Sequence, residues 1–261
     1  MLSLETKDRI RIVRLERPEA KNAFNEALYD ATTEAMLAAA VDDDVAVLVL
    51  TGSHGAFSAG TDLLEMAHHA TGTFVSGKHG FMGMVDAMIT FPKPFICAVN
   101  GLGLGIGATM LGFADLVFMS SDARLKCPFS SLAVAPEAAS SFTFPRLVGR
   151  QNATWALMSS EWLDAKTCHD IGLVWKVCPP EDLLSVTLDH ARILASKPIS
   201  SLVEIKRAIV APFIDDIAVA RERENAAFQR LLGQPANVEA LTAFAEKRQP
   251  SFAGIDAPTL S

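Results

Sequence analysis

The run Pro94–Met119 limits how this chain of 261 residues can fold more than any other stretch. The run is apolar and long enough to span a bilayer. It also contains Asn100, Asp115 and five glycines, which are costly in a lipid-facing helix. Inside a protein core, the same run is accounted for by a strand, a short helix and a second strand. We therefore expect these three elements in a soluble core, with a membrane span as the alternative.

Apolar, β-rich runs alternate with helical patterns along the first three quarters of the chain, which is typical of an α/β fold. The predicted strands are Ile10–Leu15, Val45–Thr51, Phe95–Val99, Leu116–Met119 and Val174–Val177. Asn25 is predicted to cap a helix that runs to Val41, and a second helix should start after Asp62. After about Ser196 the patterns are helical throughout. We therefore divide the chain into a sheet-containing core, residues 1–196, and a helical region, residues 197–261.

The charge balance is acidic, with 30 Asp and Glu against 23 Lys and Arg. This argues against a nucleic-acid-binding surface, although a local basic pocket remains compatible with it. The four cysteines form no C-x-x-C pair, and adjacent residues such as Cys168 and His169 do not face each other on a helix, so we expect no metal site. The sequence carries neither a signal-peptide pattern nor a peroxisomal address, and we expect a cytoplasmic protein.

Two stretches of small residues carry the chemical signal: Phe57–Leu63, which reads FSAGTDL, and Val99–Gly107, which reads VNGLGLGIG. Glycine and alanine expose backbone N–H groups, which can hold an oxyanion without a charged side chain. The second stretch also fits the G-x-G-x-x-A of a dinucleotide-binding fold, with Asp122 near the offset of a ribose-binding acid. The inserted turn at Asn100 and the short helix that follows argue against a dinucleotide site, which stays as an alternative.

Together the two stretches resemble the paired oxyanion loops of the crotonase (enoyl-CoA hydratase/isomerase) superfamily. The resemblance extends over essentially the whole chain and is densest between Val99 and Pro145. It implies a superhelical spiral of strand-strand-helix units with a helical C-terminal appendage, and an acyl-CoA thioester as substrate with no further cofactor. It also implies that the backbone N–H groups of Thr61 and Ile106 stabilise the thioester enolate.

The acid and base groups distinguish reactions within this superfamily. The two glutamates of hydratase-like sequences align with Thr109 and Phe129, neither of which can carry a proton near neutral pH. The segment Cys127–Pro145 instead resembles the peroxisomal-type delta-3,delta-2-enoyl-CoA isomerases, in which one glutamate, here Glu137, is the base. The resemblance thus implies isomerisation of 3-enoyl-CoA to trans-2-enoyl-CoA. Alternatively, Glu137 is a solvated residue in the first turn of a helix, and Asp62 is the next carboxylate to test.

The resemblance also suggests binding residues. For CoA these are Lys21, Ala59, Asp62 and, from a neighbouring subunit, Lys247. The acyl-pocket candidates are Met66, Phe81 and Met84, for which ordinary core packing is the alternative, and Phe129 and Leu132 near Glu137. Apolar faces in the helical region, together with the resemblance, predict a trimer or a dimer of trimers. Two alternatives to the isomerase remain: another crotonase reaction such as hydration, and an acyl-CoA-binding homologue with little turnover.

Overall fold

The computed structural model of the protein describes residues 1–63, 65 and 76–255. Its strands form two sheets. The six-stranded sheet has the order β1 (Leu2–Lys7), β2 (Ile10–Leu15), β3 (Val47–Thr51), β5 (Phe95–Val99), β7 (Leu116–Ser120) and β10 (Lys176–Cys178). The four-stranded sheet has the order β4 (Ala56–Ser58), β6 (Leu102–Leu104), β8 (Arg124–Lys126) and β9 (Leu163–Asp164). Pairing is parallel except at the edges, where β1 pairs with β2 and β9 with β8 antiparallel.

Three successive strand pairs build the spiral. The pairs β3 and β4, β5 and β6, and β7 and β8 each contribute one strand to the large sheet and the next to the small sheet. This repetition confirms the spiral of strand-strand-helix units. The run Pro94–Met119 forms β5, β6, a short helix with a 3-10 turn, and the start of β7. Among the described residues, no helix is long and apolar enough to cross a membrane.

The helices follow the sequence pattern closely. They are α1 (Glu26–Val41), α2 (Gly80–Thr90), α3 (Ile106–Thr109), α4 (Ser140–Val148), α5 (Arg150–Met158), α6 (Ala165–Asp170), α7 (Leu183–Ala195), α8 (Ile199–Val210), α9 (Ile214–Leu231) and α10 (Pro235–Ala245). The Asn25 side chain accepts the Leu28 N–H at 3.0 Å and so caps α1, as predicted. The helix predicted after Asp62 lies largely outside the described residues.

The large sheet is covered on both faces, which explains why its strands are continuous apolar runs. In β3, Leu48 and Leu50 face the main core with α1 and α2, whereas Val47 and Val49 face a second cluster with α7. The strand predicted at Val174–Val177 begins later, at Lys176, because the Val174 N–H donates to the Cys168 carbonyl at the end of α6. All five residues of β3 and of β5 are buried.

The C-terminal helices pack on the core through a buried cation. Lys206 of α8 donates to Asp115 Oδ2 at 2.7 Å and to the Lys93 carbonyl at 3.0 Å, and the same Asp115 oxygen accepts the Phe95 N–H. The predicted apolar face of α8 is only partly buried, because Leu202 is covered whereas Ile209 is 63% exposed. Helix α8 thus turns a lysine towards the core and an apolar residue outward.

Candidate active site

The loop Phe57–Leu63 is held by a parallel β-bridge between Phe24 and Thr61. The Phe24 N–H donates to the Gly60 carbonyl at 2.7 Å, and the Asp62 N–H donates to the Phe24 carbonyl at 2.8 Å. Because successive backbone groups point to opposite sides of an extended chain, the N–H of Thr61 faces away from Phe24. Ser58 fixes the loop from behind, since its hydroxyl accepts the Gly60 N–H at 3.1 Å.

The second loop lies directly against the first. A β-carbon added to Gly60 would lie 2.8 Å from the Leu104 carbonyl oxygen, so this contact requires glycine. Gly105 has a φ of 49°, and helix α3 begins at the next residue, Ile106. The N–H groups in the first turn of a helix have no acceptor within the helix. The backbone N–H of Ile106 is thus available next to the loop that carries Thr61.

The dinucleotide interpretation of the glycine run is wrong. Gly103 belongs to β6, which pairs with β4 and β8 in the small sheet, and the helix that follows has only four residues. A dinucleotide site needs a tight turn between a sheet strand and a long crossover helix. Here the glycines instead allow two backbone segments to touch.

Glu137 lies beside the second loop, in the segment before α4. A β-carbon added to Gly105 would lie 3.6 Å from Glu137 Oε1. Burial raises the pKa of Glu137 from its ordinary value of 4.5 to about 8, with a further contribution from the charge of Glu224. A carboxyl group with a pKa near the working pH can both accept and return a proton. Glu137 is partly exposed and lies three positions before the first residue of α4, so it is not a residue of that helix's first turn.

Two cavities meet at Thr61, Glu137 and Phe228. The loop cavity is lined by both glycine-containing loops and by Ala59, Gly105, Phe129, Leu132, Trp162 and Phe244 among others. The distal cavity is lined by Glu26, Tyr29, Phe81, Met82, Asn225 and Gln229 among others. Glu137 therefore borders both cavities, and its carboxylate is the one carboxylate lining the loop cavity in the described part of the chain.

Tyr29 is a site residue that the sequence analysis missed. Its hydroxyl is 2.8 Å from Thr61 Oγ1, and its ring stacks on Phe24 and meets Phe81 edge to face. Burial, followed by the charge of Glu137, raises the pKa of Tyr29 well above its usual value. The sequence offers one indication of such a role: Tyr29 is the single tyrosine of the chain and lies on the face of α1 that is buried. Tyr29 thus holds the side chain of Thr61 by a contact that does not involve the Thr61 backbone N–H.

The predicted acyl-pocket residues separate into three groups. Phe81 lines the distal cavity, whereas Phe129 and Leu132 line the loop cavity. Met84 is fully buried in the main core and lines neither cavity, which favours the alternative of ordinary core packing for this residue. Helix α2 turns Met84 towards the sheet and Phe81 towards Tyr29. Met66 lies outside the described residues.

The predicted CoA-binding residues differ in whether they line a cavity. Ala59 lines the loop cavity, and its N–H donates to the carbonyl of Lys21 at 2.9 Å, while Lys21 itself is exposed and lines neither cavity. The Asp62 carboxylate pairs with Arg17 at 2.7 Å and lines neither cavity, so a contact of Asp62 with CoA stays a prediction. Asp62 braces the loop, since Arg17 also donates to the Ala23 carbonyl.

The end of helix α10 lies beside its own chain's site. Phe244 lines the loop cavity of the same chain, and Lys247 follows as an exposed residue after the helix ends. The contact of Lys247 with a neighbouring subunit's CoA stays a prediction. Sequence analysis missed the contact of Phe244 with the loop cavity because more than a hundred positions separate Phe244 from the two loops.

Two further basic residues lie against Trp162, which lines the loop cavity. The Arg124 guanidinium lies 4.1 Å from the centre of the Trp162 ring, and Lys126 Nζ lies 5.7 Å from it. Lys126 and Trp162 both line the loop cavity. This cluster was not predicted, because Arg124 and Lys126 belong to β8 whereas Trp162 precedes β9. The two positions are far apart in sequence and come together only because β8 pairs with β9. The cluster thus places positive charge and an aromatic face beside the loop cavity.

The two positions aligned with hydratase glutamates differ in their surroundings. Thr109 is fully buried, its hydroxyl has no hydrogen-bond partner in the described part of the chain, and it lines neither cavity. Phe129 lines the loop cavity with an apolar ring. Among the described residues, no group of three or more metal-ligating side chains is present.

Comparison with known proteins gives a consistent assignment. The family model for enoyl-CoA hydratase/isomerase matches residues 5–255. The chain is 33% identical to a 1,2-epoxyphenylacetyl-CoA isomerase of Escherichia coli, over 92% of this chain and 93% of that protein. It is also 33% identical to the human enoyl-CoA delta isomerase 2, over 77% of this chain and 52% of that protein.

Solved structures agree with these sequence relatives. An enoyl-CoA hydratase from Mycobacterium marinum is 61% identical, with a TM-score of 0.78, and the match covers 81% of this chain and 99% of that one. An enoyl-CoA hydratase/isomerase from Pseudoalteromonas atlantica is 31% identical, with a TM-score of 0.89, over 96% and 99% of the two chains. The chain therefore belongs to the enoyl-CoA hydratase/isomerase family, within the crotonase superfamily.

Proposed function

We propose that this protein isomerises 3-enoyl-CoA to trans-2-enoyl-CoA, with Glu137 as the single proton carrier. The observation that carries the proposal is the position of Glu137. Its carboxylate lies beside Gly105, borders both cavities and has its pKa raised to about 8 by burial. A double-bond shift needs one group that removes a proton and returns it, and such a pKa suits both steps.

The proposed reaction proceeds in two proton transfers. Glu137 removes a proton from carbon 2 of the 3-enoyl thioester, and the electron pair moves onto the thioester oxygen to form an enolate. The backbone N–H groups of Thr61 and Ile106 donate to that oxygen, and the resulting stabilisation is the main source of rate. The electron pair then shifts back through carbon 2, the double bond moves, and Glu137 returns its proton to carbon 4.

Hydration is less well supported as the main activity. It needs a second acid or base that holds water, but Thr109 is buried without access to either cavity and Phe129 is apolar. Glu224 does not meet this need, since both of its oxygens accept backbone N–H groups. Relatives named as hydratases and relatives named as isomerases both match this chain, so their names alone do not separate the reactions.

The substrate is proposed to lie across both cavities. The thioester would sit in the loop cavity between Gly60 and Glu137, and the acyl chain would extend past Glu137 towards Phe81. Lys126, which lines the loop cavity, and Arg124, which lies over the same Trp162 ring, would then meet the phosphates of CoA. No cofactor is needed beyond the CoA that is part of the substrate.

A paired assay tests the proposal. Pure protein is given 3-enoyl-CoA or trans-2-enoyl-CoA of the same chain length, and both the conjugated thioester and 3-hydroxyacyl-CoA are quantified. We expect turnover of 3-enoyl-CoA to the conjugated product and hydration at least about a hundredfold slower, because a missing general acid–base group costs about 10²–10⁴ in rate. Efficient formation of 3-hydroxyacyl-CoA would overturn the assignment, and tight CoA binding without either reaction would indicate an acyl-CoA-binding protein.

A further inference from the structure

A second buried carboxylate, Glu224 of helix α9, lies behind the segment that carries Glu137. Glu224 is 4% exposed. Its Oε2 accepts the Ala139 N–H and its Oε1 accepts the Ser141 N–H, each at 2.7 Å. These donors stand at the start of α4, where no side chain of the helix itself forms a cap. A carboxylate from another helix thus satisfies two N–H groups that would otherwise be buried without acceptors.

The segment that Glu224 holds has an unusual backbone. Ala138 and Ala139, which follow Glu137 directly, have φ values of 56° and 53°. For a residue with a β-carbon this left-handed conformation costs about 1 kcal/mol or more, so two in succession persist only where the surroundings hold them. The bond from the Ala139 N–H to Glu224 is one such contact. The place of Glu137 beside Gly105 therefore depends on helix α9.

Glu224 also brings negative charge close to Glu137. After burial, this charge is the second cause of the raised pKa of Glu137. Tyr29 and Cys127 also interact electrostatically with Glu137, and burial raises the pKa of both, so they are neutral near pH 7. Two further carboxylates, Glu26 and Glu65, line the distal cavity together with Glu137. Burial raises the pKa of Glu224, and the hydrogen bonds from Ser141 and Ala139 partly oppose this shift. On α9 itself, the charge of Arg221, which pairs with Asp86 at 2.5 Å, opposes it further.

We propose that Glu224 is a positioning residue for Glu137: it fixes the backbone that follows the base and sets the charge that the base faces. The inference rests on the role of Glu137 in the proposed function. Glu224 lines neither cavity, so it acts through Glu137 and its segment and not on the substrate. Helix α9 of the C-terminal region would then be part of the catalytic machinery.

Three variants of the full chain separate the contributions of charge and position. Glu224→Gln removes the charge and keeps one acceptor, whereas Glu224→Asp keeps the charge but is too short to reach both N–H groups. Glu222→Gln is the matched control, because Glu222 is exposed two residues earlier on the same helix. Circular dichroism and thermal unfolding establish that each variant is folded before it is compared.

The first measurement is the titration of the Glu137 carboxyl carbon by NMR in protein labelled with 13C-glutamate. The signal is assigned by its loss in Glu137→Gln. We expect Glu224→Gln to lower the midpoint by about 1 pH unit or more, because removal of a nearby like charge favours the ionised form. Glu224→Asp and Glu222→Gln should leave the midpoint close to that of the unsubstituted protein.

The second measurement is amide hydrogen exchange at Ala139 and Ser141. In Glu224→Asp, exchange at one or both should be at least about tenfold faster, since a lost hydrogen bond lowers the local opening free energy. The kcat for 3-enoyl-CoA should fall at least about tenfold in the same variant with little change in KM, because the base is displaced while substrate contacts remain. Glu222→Gln should match the unsubstituted protein in both respects.

An unchanged midpoint in Glu224→Gln, together with unchanged exchange in Glu224→Asp, would overturn the inference. If Glu224→Gln fails to fold, the exchange result in Glu224→Asp decides. The titration and the exchange need no assumption about the reaction, so a protein that fails to isomerise 3-enoyl-CoA would contradict the proposed function and still report on Glu224.

Discussion

At the scale of single residues, Glu137 combines the proposed chemistry with a cost in stability. Its pKa is raised in the folded protein, so between pH 4.5 and about 8 the folded state binds more protons than the unfolded state. Under these conditions the free energy of unfolding falls as pH rises. Each unit of difference between the folded and unfolded pKa of Glu137 corresponds to about 1.36 kcal/mol. The free energy of unfolding therefore falls by at most about 5 kcal/mol across this pH range.

This cost predicts a pH-dependent gain in stability for Glu137→Gln. The amide cannot ionise, so the variant should be more stable than the unsubstituted protein at pH 9, by up to about 5 kcal/mol, and similar to it at pH 5. Urea unfolding at the two pH values measures the difference. Glu181→Gln, an exposed glutamate distant in sequence, serves as control. A difference of equal size at pH 5 and pH 9 would show that the Glu137 pKa is not raised.

The candidate site residues that sequence reasoning proposed lie in local patterns, and their roles stay predictions. Thr61 and Ile106 belong to short motifs, and Glu137 follows a proline in a recognisable segment. Tyr29 and Glu224 were not identified, because they reach the site from helices that are far away in sequence. Their contacts arise from packing between elements, which the sequence pattern of either helix alone does not encode.

At the scale of elements, α8 shows how packing overrides a simple pattern. The apolar spacing along the helix predicts a buried face, yet Lys206 is buried and Ile209 is exposed. The carboxylate of Asp115 and the carbonyl of Lys93 supply acceptors for the ammonium group, so its burial is compensated. Strand limits were predicted well where both faces of a strand are buried, as in β2 and β5, and less well at the sheet edge near β10.

Lys206→Met should loosen the C-terminal helices from the core. The variant leaves Asp115 without its cation, and the loss of one partner of a buried pair costs at most about 3–5 kcal/mol here, because the Asp115 side chain is 29% exposed. Arg207→Met is the control, because Arg207 forms an exposed pair with Glu204 and such pairs contribute less than about 1 kcal/mol. Thermal and urea unfolding measure both variants. Equal stabilities would mean that the buried pair does not anchor α8.

At the scale of the whole molecule, the single chain leaves several large apolar side chains exposed. They include Leu147, Trp155, Met158, Ile205 and Ile209, each between 46% and 67% exposed. Exposed apolar patches of this kind mark association surfaces. We predict a trimer or a dimer of trimers, measured as mass by light scattering at micromolar concentration. A monomeric mass would contradict this, and the family resemblance rather than the exposed surface supplies the number three.

The spiral itself was predicted at this scale through the resemblance. Periodicity alone predicted an α/β fold, and the alternation of strands between two sheets became visible only in three dimensions. The division at residue 196 stays a prediction. The C-terminal helices nevertheless contribute Asn225, Phe228 and Phe244 to the cavities, so the helical region and the core form the candidate site together.

The most direct test of the account is the turnover of 3-enoyl-CoA by Glu137→Gln. The variant keeps the shape of the side chain and removes the base, so kcat should fall by about 10²–10⁴ while CoA affinity, measured by calorimetry, stays within about twofold. Glu181→Gln should retain the rate of the unsubstituted protein. A Glu137→Gln variant that isomerises 3-enoyl-CoA at a near-native rate would contradict the assignment of Glu137 as the proton carrier.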